Sequence, residues 1–284
     1  MDSSQLLGIT TFTYLLSSFL YIGLFVFKAQ RLGIFATSFT AIACFIQMVG
    51  LGLRWYESYE MGIGHAPLTN MYESVVFFAW TIIIIYLAIE WKFKNRIIGA
   101  FAVPFAAMAM AYGALDPDIN RNISPLVPAL QSNWLIAHVI TCFVGYAAFA
   151  VAAGLGIMYL IKNTRKEEKD GQDKSLIGSL PPLVIIDDII HKTMVFGFIW
   201  LSAGIITGAI WANSAWGTYW SWDPKETWSL ITWFAYAITL HARYTRGWGG
   251  ARIAWLAIIG FIAVIFTYYG VNFLLSGLHS YGTS

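Results

Sequence analysis

Eight apolar runs, most of them about 20 residues long, constrain this 284-residue chain more than any other feature. A helix of that length crosses the roughly 30 Å hydrocarbon layer of a membrane. Because backbone groups cannot stay unpaired in lipid, the runs must be helical. Composition agrees, since only 11% of the residues are charged, against about a quarter in soluble domains. The predicted spans are residues 6–27, 33–53, 71–91, 97–115, 133–161, 191–212, 225–243 and 251–277.

The basic residues predict how these spans are oriented. Fourteen lysines and arginines fall in connections on one side of an eight-span arrangement, and only Arg54, Arg121 and Lys225 fall on the other. Connections rich in lysine and arginine face the cytoplasm, or the stroma in a plastid. We therefore predict an all-α integral membrane protein, a single polytopic domain over residues 1–284, with both termini on the outer (periplasmic or lumenal) side.

Several further features narrow the possibilities. The formal net charge of +2 says little about partners, and for this membrane-embedded chain we expect no nucleic-acid partner. Cys44 and Cys142 lie within apolar runs without CxxC spacing, so we expect small buried side chains rather than a disulfide or metal site. The N-terminus lacks the pattern of a cleaved signal, and we expect Met1 and the first span to be retained. Gly204 and Gly208 are spaced to let two helices approach closely.

The connection that follows the fifth span has two parts. KNTRKEEKDGQDK (162–174) has mixed charge and is predicted to be a solvated linker. SLPPLVIIDDII (179–190) is predicted to form a short interfacial helix that ends at Asp187–Asp188.

The segment WANSAWGTYWSWDPKETWSLITW (211–233) holds six of the thirteen tryptophans of the chain. Interfacial tryptophans are usual in membrane proteins, but they are dispersed among the spans rather than concentrated in one loop. Asp223, Pro224 and Glu226 form a capping-box pattern that predicts the start of a helix. Trp216–Trp222 would then form an outer loop, and we predict a flat, rigid aromatic platform there.

Such a platform suits a large planar ligand, of which haem is the natural candidate. Choline-like cations are a second ligand class for an aromatic surface, although acidic residues are few here. The candidate haem-contacting residues of this segment are Trp216, Trp220, Trp222, Asp223 and Trp228.

Two histidines are predicted at the depth of this loop. His138 lies about one and a half turns below the outer end of the fifth span, and His279 lies at the outer end of the eighth. Two neutral imidazoles can ligate one haem iron from opposite sides. His65, also outside, either lines this site or caps the third span. Arg54, Arg121 and Lys225 are the outer-face cations available to haem propionates.

His241 is predicted to serve a different site. It follows Lys225 by 16 residues, or about 24 Å along a helix, which places it near the inner side of the bilayer. It therefore cannot bind the same iron as His138, and its own partner ligand has no obvious source in this chain. His191, at the inner start of the sixth span, is expected to be uninvolved.

The run WGTYWSWDPKETWSLITW (216–233) resembles the tryptophan-rich WWD signature of a haem-handling protein family. It is most similar to the CcsA/ResC branch, which acts in System II cytochrome c biogenesis. Three more motifs match that branch: GHAPLTNMYES (64–74), TLHAR (239–243) and VNFLLSGLHSYG (271–282). The resemblance covers residues 64–284, and the first two spans match only in general character.

The resemblance implies a specific role. With a ResB-like membrane subunit, such proteins move haem b, as cargo, from the inner to the outer side. They present it reduced to apocytochrome c, whose CxxCH cysteines add to the haem vinyl groups. The outer ligands correspond to His138 and His279, and the membrane ligand to His241, opposite a ligand from the partner. Holocytochrome c synthase activity is then expected only in the complex, in a bacterial cytoplasmic membrane or, for a plastid-encoded chain, the thylakoid.

Three alternatives stay open at this point. A CcmC-like protein of System I shares a tryptophan motif and two histidines, but it has six spans and lacks counterparts of the DPKETW continuation and His241. A membrane b-type haem electron carrier pairs histidines on facing helices, whereas His241 has no such partner in the chain. A transporter with an aromatic gate predicts no haem in the purified protein.

Overall fold

The computed structural model describes residues 1–164 and 176–275, and every regular element in those ranges is a helix. The long helices are α1 (Ser3–Phe27), α2 (Gln30–Glu60), α3 (Met71–Phe93), α4 (Gly99–Leu115), α5 (Asn133–Asn163), α6 (Leu183–Trp216), α7 (Pro224–Arg246) and α8 (Ala251–Ile265). A π-helical turn, Phe266–Gly270, continues α8 into the short helix α9 (Val271–Leu274). Short 3₁₀ turns lie at Arg96–Ile98, Pro128–Leu130 and Ile177–Ser179.

Seven helical segments within the described ranges are long and apolar enough to cross a membrane. The exception among the predicted spans is α7, whose sequence is too polar on average, although part of its polar surface faces inward. Thr232, Tyr236 and Thr239 are buried, whereas Ile231, Phe234 and Ile238 are exposed. The all-helical membrane class is confirmed, while the number of spans and the side on which the termini lie stay predictions.

The chain divides into two compact helical units. The first comprises residues 1–126 and 161–182, and in it α1 packs against α2 and α4 while α3 packs against α4. Buried polar side chains join these helices. The Tyr14 hydroxyl donates to Gln47 Oε1 at 2.6 Å, and Gln47 Nε2 donates to the Val76 carbonyl at 2.9 Å. Such bonds between apolar helices fix their register, because lipid offers no alternative partner.

The second unit comprises residues 127–160 and 183–284, and in its described part α7 packs against both α6 and α8. Two glycines of α6 lie directly against α5. A Cβ atom at Gly204 would lie 2.6 Å from Cys142 Sγ, and one at Gly208 would lie 2.6 Å from His138 Nδ1. The close approach predicted from these glycines is therefore confirmed, and it places His138 against α6.

The predicted interfacial helix ending at Asp187–Asp188 is wrong, because these residues belong to α6, which begins at Leu183. Pro181 and Pro182 precede the helix, a position that proline tolerates. Asp187 can lie within a long apolar helix because both its carboxylate oxygens accept from the Arg243 guanidinium, at 3.1 and 2.6 Å. At its other end α6 runs to Trp216, so the loop before α7 comprises residues 217–223.

Candidate functional site

The tryptophan-rich loop is fastened to the start of α7. The predicted capping box is present: the Asp223 carboxylate accepts from the first-turn backbone, and Glu226 Oε2 accepts from the Asp223 N–H at 3.2 Å. Pro224 occupies the first helical position, where its missing N–H costs nothing. The loop is therefore rigidly connected to the helix that carries His241.

Trp222 has an unusual backbone conformation within this loop. Its φ angle is 60°, in the left-handed region that bulky residues rarely adopt. Its indole is 68% exposed, so packing does not explain that conformation. Residues held this way store strain and concentrate at functional positions.

The tryptophan rings meet edge to face and do not form the predicted flat platform. Trp220 and Trp222 are 5.7 Å apart with an interplanar angle of 88°, and Trp211 and Trp216 are 4.9 Å apart at 62°. Edge-to-face contact is favoured because the positive edge of one ring meets the negative face of the other. The loop thus presents ring edges and faces in several directions.

His138 lies in the second turn of α5, at the predicted place, and its ring has a defined orientation. Its Nδ1 atom is 2.8 Å from the Gly204 carbonyl oxygen. A carbonyl only accepts, so Nδ1 carries the proton and Nε2 carries the lone pair of the neutral ring. A backbone carbonyl on one ring nitrogen is the usual support of a histidine that ligates metal through the other.

The surroundings of His138 connect it to the tryptophans. Its ring lies 5.8 Å from that of Trp211 at an interplanar angle of 20°. Trp211 Nε1 donates to the Ala129 carbonyl at 2.9 Å, and Trp211 in turn contacts Trp216. The side chain of Thr207 also donates to the Gly204 carbonyl, at 3.1 Å. Sequence reasoning missed the supporting roles of Gly204, Thr207 and Trp211, because they depend on the alignment of α5 with α6.

His241 has a different environment near the other end of α7. The helix runs unbroken from Pro224 to Arg246. The His241 side chain is exposed, on the same face as Ile231, Phe234 and Ile238. These positions are spaced three, four and three residues apart, so they form one stripe along the helix. His241 thus ends an outward-facing apolar stripe.

Two other candidate residues, Trp228 and Lys225, contact the π-helical turn and α9. Trp228 packs on Phe266 with ring centroids 4.1 Å apart, and its carbonyl accepts from Thr267 at 3.2 Å. Lys225 Nζ donates to Asn272 Oδ1 at 2.9 Å. Both contacts connect the first turns of α7 to residues 266–272.

Arg54, Arg121 and His65 lie in the first unit, in one hydrogen-bonded cluster. Arg54 is 2% exposed; its Nε donates to Glu73 Oε1 at 2.8 Å and its Nη2 to the Arg121 carbonyl at 2.9 Å. The His65 ring nitrogens lie 2.9 and 3.0 Å from the carbonyl oxygens of Ala66 and Ser124. These contacts join the connection before α3 to the one after α4, and any contact of the three residues with haem stays a prediction.

His279 lies outside the described residues, so its pairing with His138 stays a prediction. Within residues 1–164 and 176–275, no group of three or more His, Cys, Asp or Glu side chains is arranged to hold a bare metal ion. A porphyrin iron needs only one or two axial ligands from the protein.

Comparison with known proteins places this arrangement in a family. The family described as Cytochrome C assembly protein matches residues 68–279, which include the tryptophan loop, His138 and His241. The chain belongs to this cytochrome c assembly family. It is 41% identical over 290 residues to the cytochrome c biogenesis protein CcsA of Guillardia theta, covering 97% of this chain and 95% of that protein. The resemblance to the CcsA branch is thereby confirmed.

Other members are similarly close. The CcsA proteins of Mesostigma viride and Prochlorococcus marinus are 40% and 37% identical, covering 90% and 87% of this chain and 88% and 83% of those proteins. Among solved structures, a cytochrome c heme lyase, CcmF, has a TM-score of 0.69 at 16% identity. The match covers 95% of this chain and 47% of the CcmF chain, so this chain spans about half the length of CcmF. That likeness shows a shared fold alone.

Proposed function

We propose that this chain carries haem across the membrane and presents it, together with a ResB-like subunit, for attachment to apocytochrome c. Family membership supports the broader role in cytochrome c biogenesis. The observation that carries the finer proposal is the orientation of His138, whose Nδ1 is fixed on the Gly204 carbonyl beside the Trp211–Trp216 pair. This arrangement prepares Nε2 to ligate an iron next to an aromatic loop.

In the outer site, His138 and His279 would supply the two axial imidazoles. Trp216, Trp220 and Trp222 would contact the macrocycle, while Asp223 and Trp228 hold the loop and the first turn of α7 in place. Each cysteine S–H of the CxxCH segment adds across one vinyl group, with sulfur bonding to one vinyl carbon and hydrogen to the other. The reactivity belongs to the haem, and the protein contributes orientation and proximity.

The inner site would be completed by the partner subunit. An imidazole that faces lipid from an apolar stripe is costly, and histidines within membranes usually face protein or a cavity. The exposed stripe that ends in His241 therefore supports a membrane helix of the ResB-like subunit packing there. That helix would supply the ligand opposite His241, and haem would move from this site to the outer one.

The proposal is tested by the spectrum of the purified protein and by the yield of holocytochrome c in cells. We expect a Soret band in the complex with the ResB-like subunit. We expect His138→Ala, His279→Ala and His241→Ala each to lower the yield strongly, whereas His191→Ala serves as a matched histidine control. Absence of a Soret band with and without the partner would instead favour the gated transporter. Unchanged yield in all three variants would remove the ligand assignments.

A further inference from the structure

Glu226 makes more contacts than a capping box requires. In a capping box this carboxylate accepts from the N–H of the N-cap residue, here Asp223. The same oxygen, Oε2, also accepts from the backbone N–H of Ser221 at 2.8 Å and from the Ser221 hydroxyl at 3.2 Å. One carboxylate thus binds the chain on both sides of Trp222.

The peptide group that follows Trp222 is held at both ends. Its N–H, from Asp223, donates to Glu226 at 3.2 Å, and its carbonyl accepts from the Thr227 hydroxyl at 3.3 Å. Because Trp222 is 68% exposed, these hydrogen bonds are better placed than packing to hold the backbone at a φ of 60°. Hydrogen bonds to a charged carboxylate are stronger than those between neutral groups, so Glu226 can stabilise an unfavourable backbone conformation.

We propose that Glu226 is a positioning residue for the outer haem site: its carboxylate holds Trp222 in the left-handed conformation, so that the indole projects from the loop toward the bound haem. Trp220 is positioned through Trp222, because the two rings are in contact. This inference rests on the proposed function of the loop, but its structural part does not require haem.

The structural part is tested by ¹⁹F NMR of detergent-solubilised protein labelled with 5-fluorotryptophan. Comparison with Trp222→Phe assigns the Trp222 resonance, and Trp228→Phe assigns that of Trp228. Glu226→Ala is expected to shift or broaden the Trp222 signal and leave that of Trp228 in place. Glu226→Gln, which keeps an acceptor oxygen, is expected to restore it in large part. Ser229→Ala is the matched control, since this hydroxyl one turn on bonds to the Glu226 carbonyl of the helix backbone. An unmoved Trp222 signal in Glu226→Ala overturns the inference.

The functional part is tested by a double-mutant cycle on holocytochrome c yield in cells with the ResB-like subunit. Glu226→Ala is expected to lower the yield about tenfold, as for loss of a charge-assisted hydrogen bond. Glu226→Gln should recover most of it. In a Trp222→Gly background, Glu226→Ala should cause no further loss, because the residue acts through Trp222. Fully additive losses overturn the inference.

Two further measurements separate a failure of the Glu226 proposal from a failure of the proposed function. If Glu226→Ala fails to accumulate in the membrane, Thr227→Val releases the same peptide from its carbonyl side, and the same signal change is expected. A wild-type complex without any haem would defeat the proposed function, while the ¹⁹F result would still decide whether Glu226 holds Trp222.

Discussion

His138 and His241 are both proposed haem ligands, yet their surroundings are opposite. His138 is enclosed by its own chain, with Nδ1 on the Gly204 carbonyl and the ring beside Trp211. His241 is exposed on a stripe of α7 that otherwise presents isoleucine and phenylalanine. Under the proposed function, this difference means that this chain alone builds the support of the outer ligand, whereas the inner site needs a second subunit.

The largest effect is expected from crowding the His138 ring. A Cβ atom at Gly208 would lie 2.6 Å from Nδ1 and 2.7 Å from Cε1 of His138, so Gly208→Ala must displace the imidazole. Overpacking of this kind costs about 1–3 kcal/mol, and we expect holocytochrome c yield to fall about tenfold or more. Gly52→Ala is the control, because a Cβ atom there meets nothing within 4 Å. Equal yields from the two variants would show that the contact of His138 with α6 is unimportant.

A smaller effect is expected from blocking the α7 stripe. Ile238 is 63% exposed on the His241 face of α7, and Ile262 is 61% exposed on α8. Ile238→Trp should lower the amount of ResB-like subunit and haem that copurify by about fivefold, or about 1 kcal/mol. Ile262→Trp should leave both unchanged. If the two variants behaved alike, the partner would not use this stripe.

The smallest effect is expected at the inner end of α7. Arg243 binds Asp187 through two nitrogens, at 3.1 and 2.6 Å, and Asp187 also accepts from the Gly250 N–H at 2.8 Å. Arg243→Lys keeps the charge but loses the paired geometry. We expect a lower midpoint of thermal unfolding in detergent, by about 2–4 °C for about 1 kcal/mol. Arg246→Lys, at an exposed position, is the control. A midpoint lowered equally by both variants would contradict a specific role for the Asp187 pair.

Local patterns predicted much of this molecule. The long helices follow from run length, and the start of α7 follows from Asp223, Pro224 and Glu226, whose capping chemistry acts over four residues. The place of His138 in the second turn of α5 follows from the predicted start of that helix. In each case the interactions that decide the structure lie within one element.

Features that depend on two elements were missed. A separate short helix was predicted to end at Asp187–Asp188, but the pairing of Asp187 with Arg243 stabilises one continuous α6. The flat tryptophan platform was wrong because ring orientation is set by contacts between residues several positions apart, such as Trp211 and Trp216. The left-handed backbone conformation of Trp222 could not be predicted from the sequence either, because glycine and asparagine are the residues that indicate such a conformation.

The assignment of His138 as a haem ligand is tested most directly by the absorption spectrum of the purified complex carrying His138→Cys. If His138 ligates haem at the outer site, the substitution must either replace the imidazole with a thiolate or leave the iron without that ligand. We expect a displaced Soret band that returns toward the wild-type position when imidazole is added. A His138→Cys complex with the same haem content and an unchanged spectrum, with or without imidazole, would contradict it.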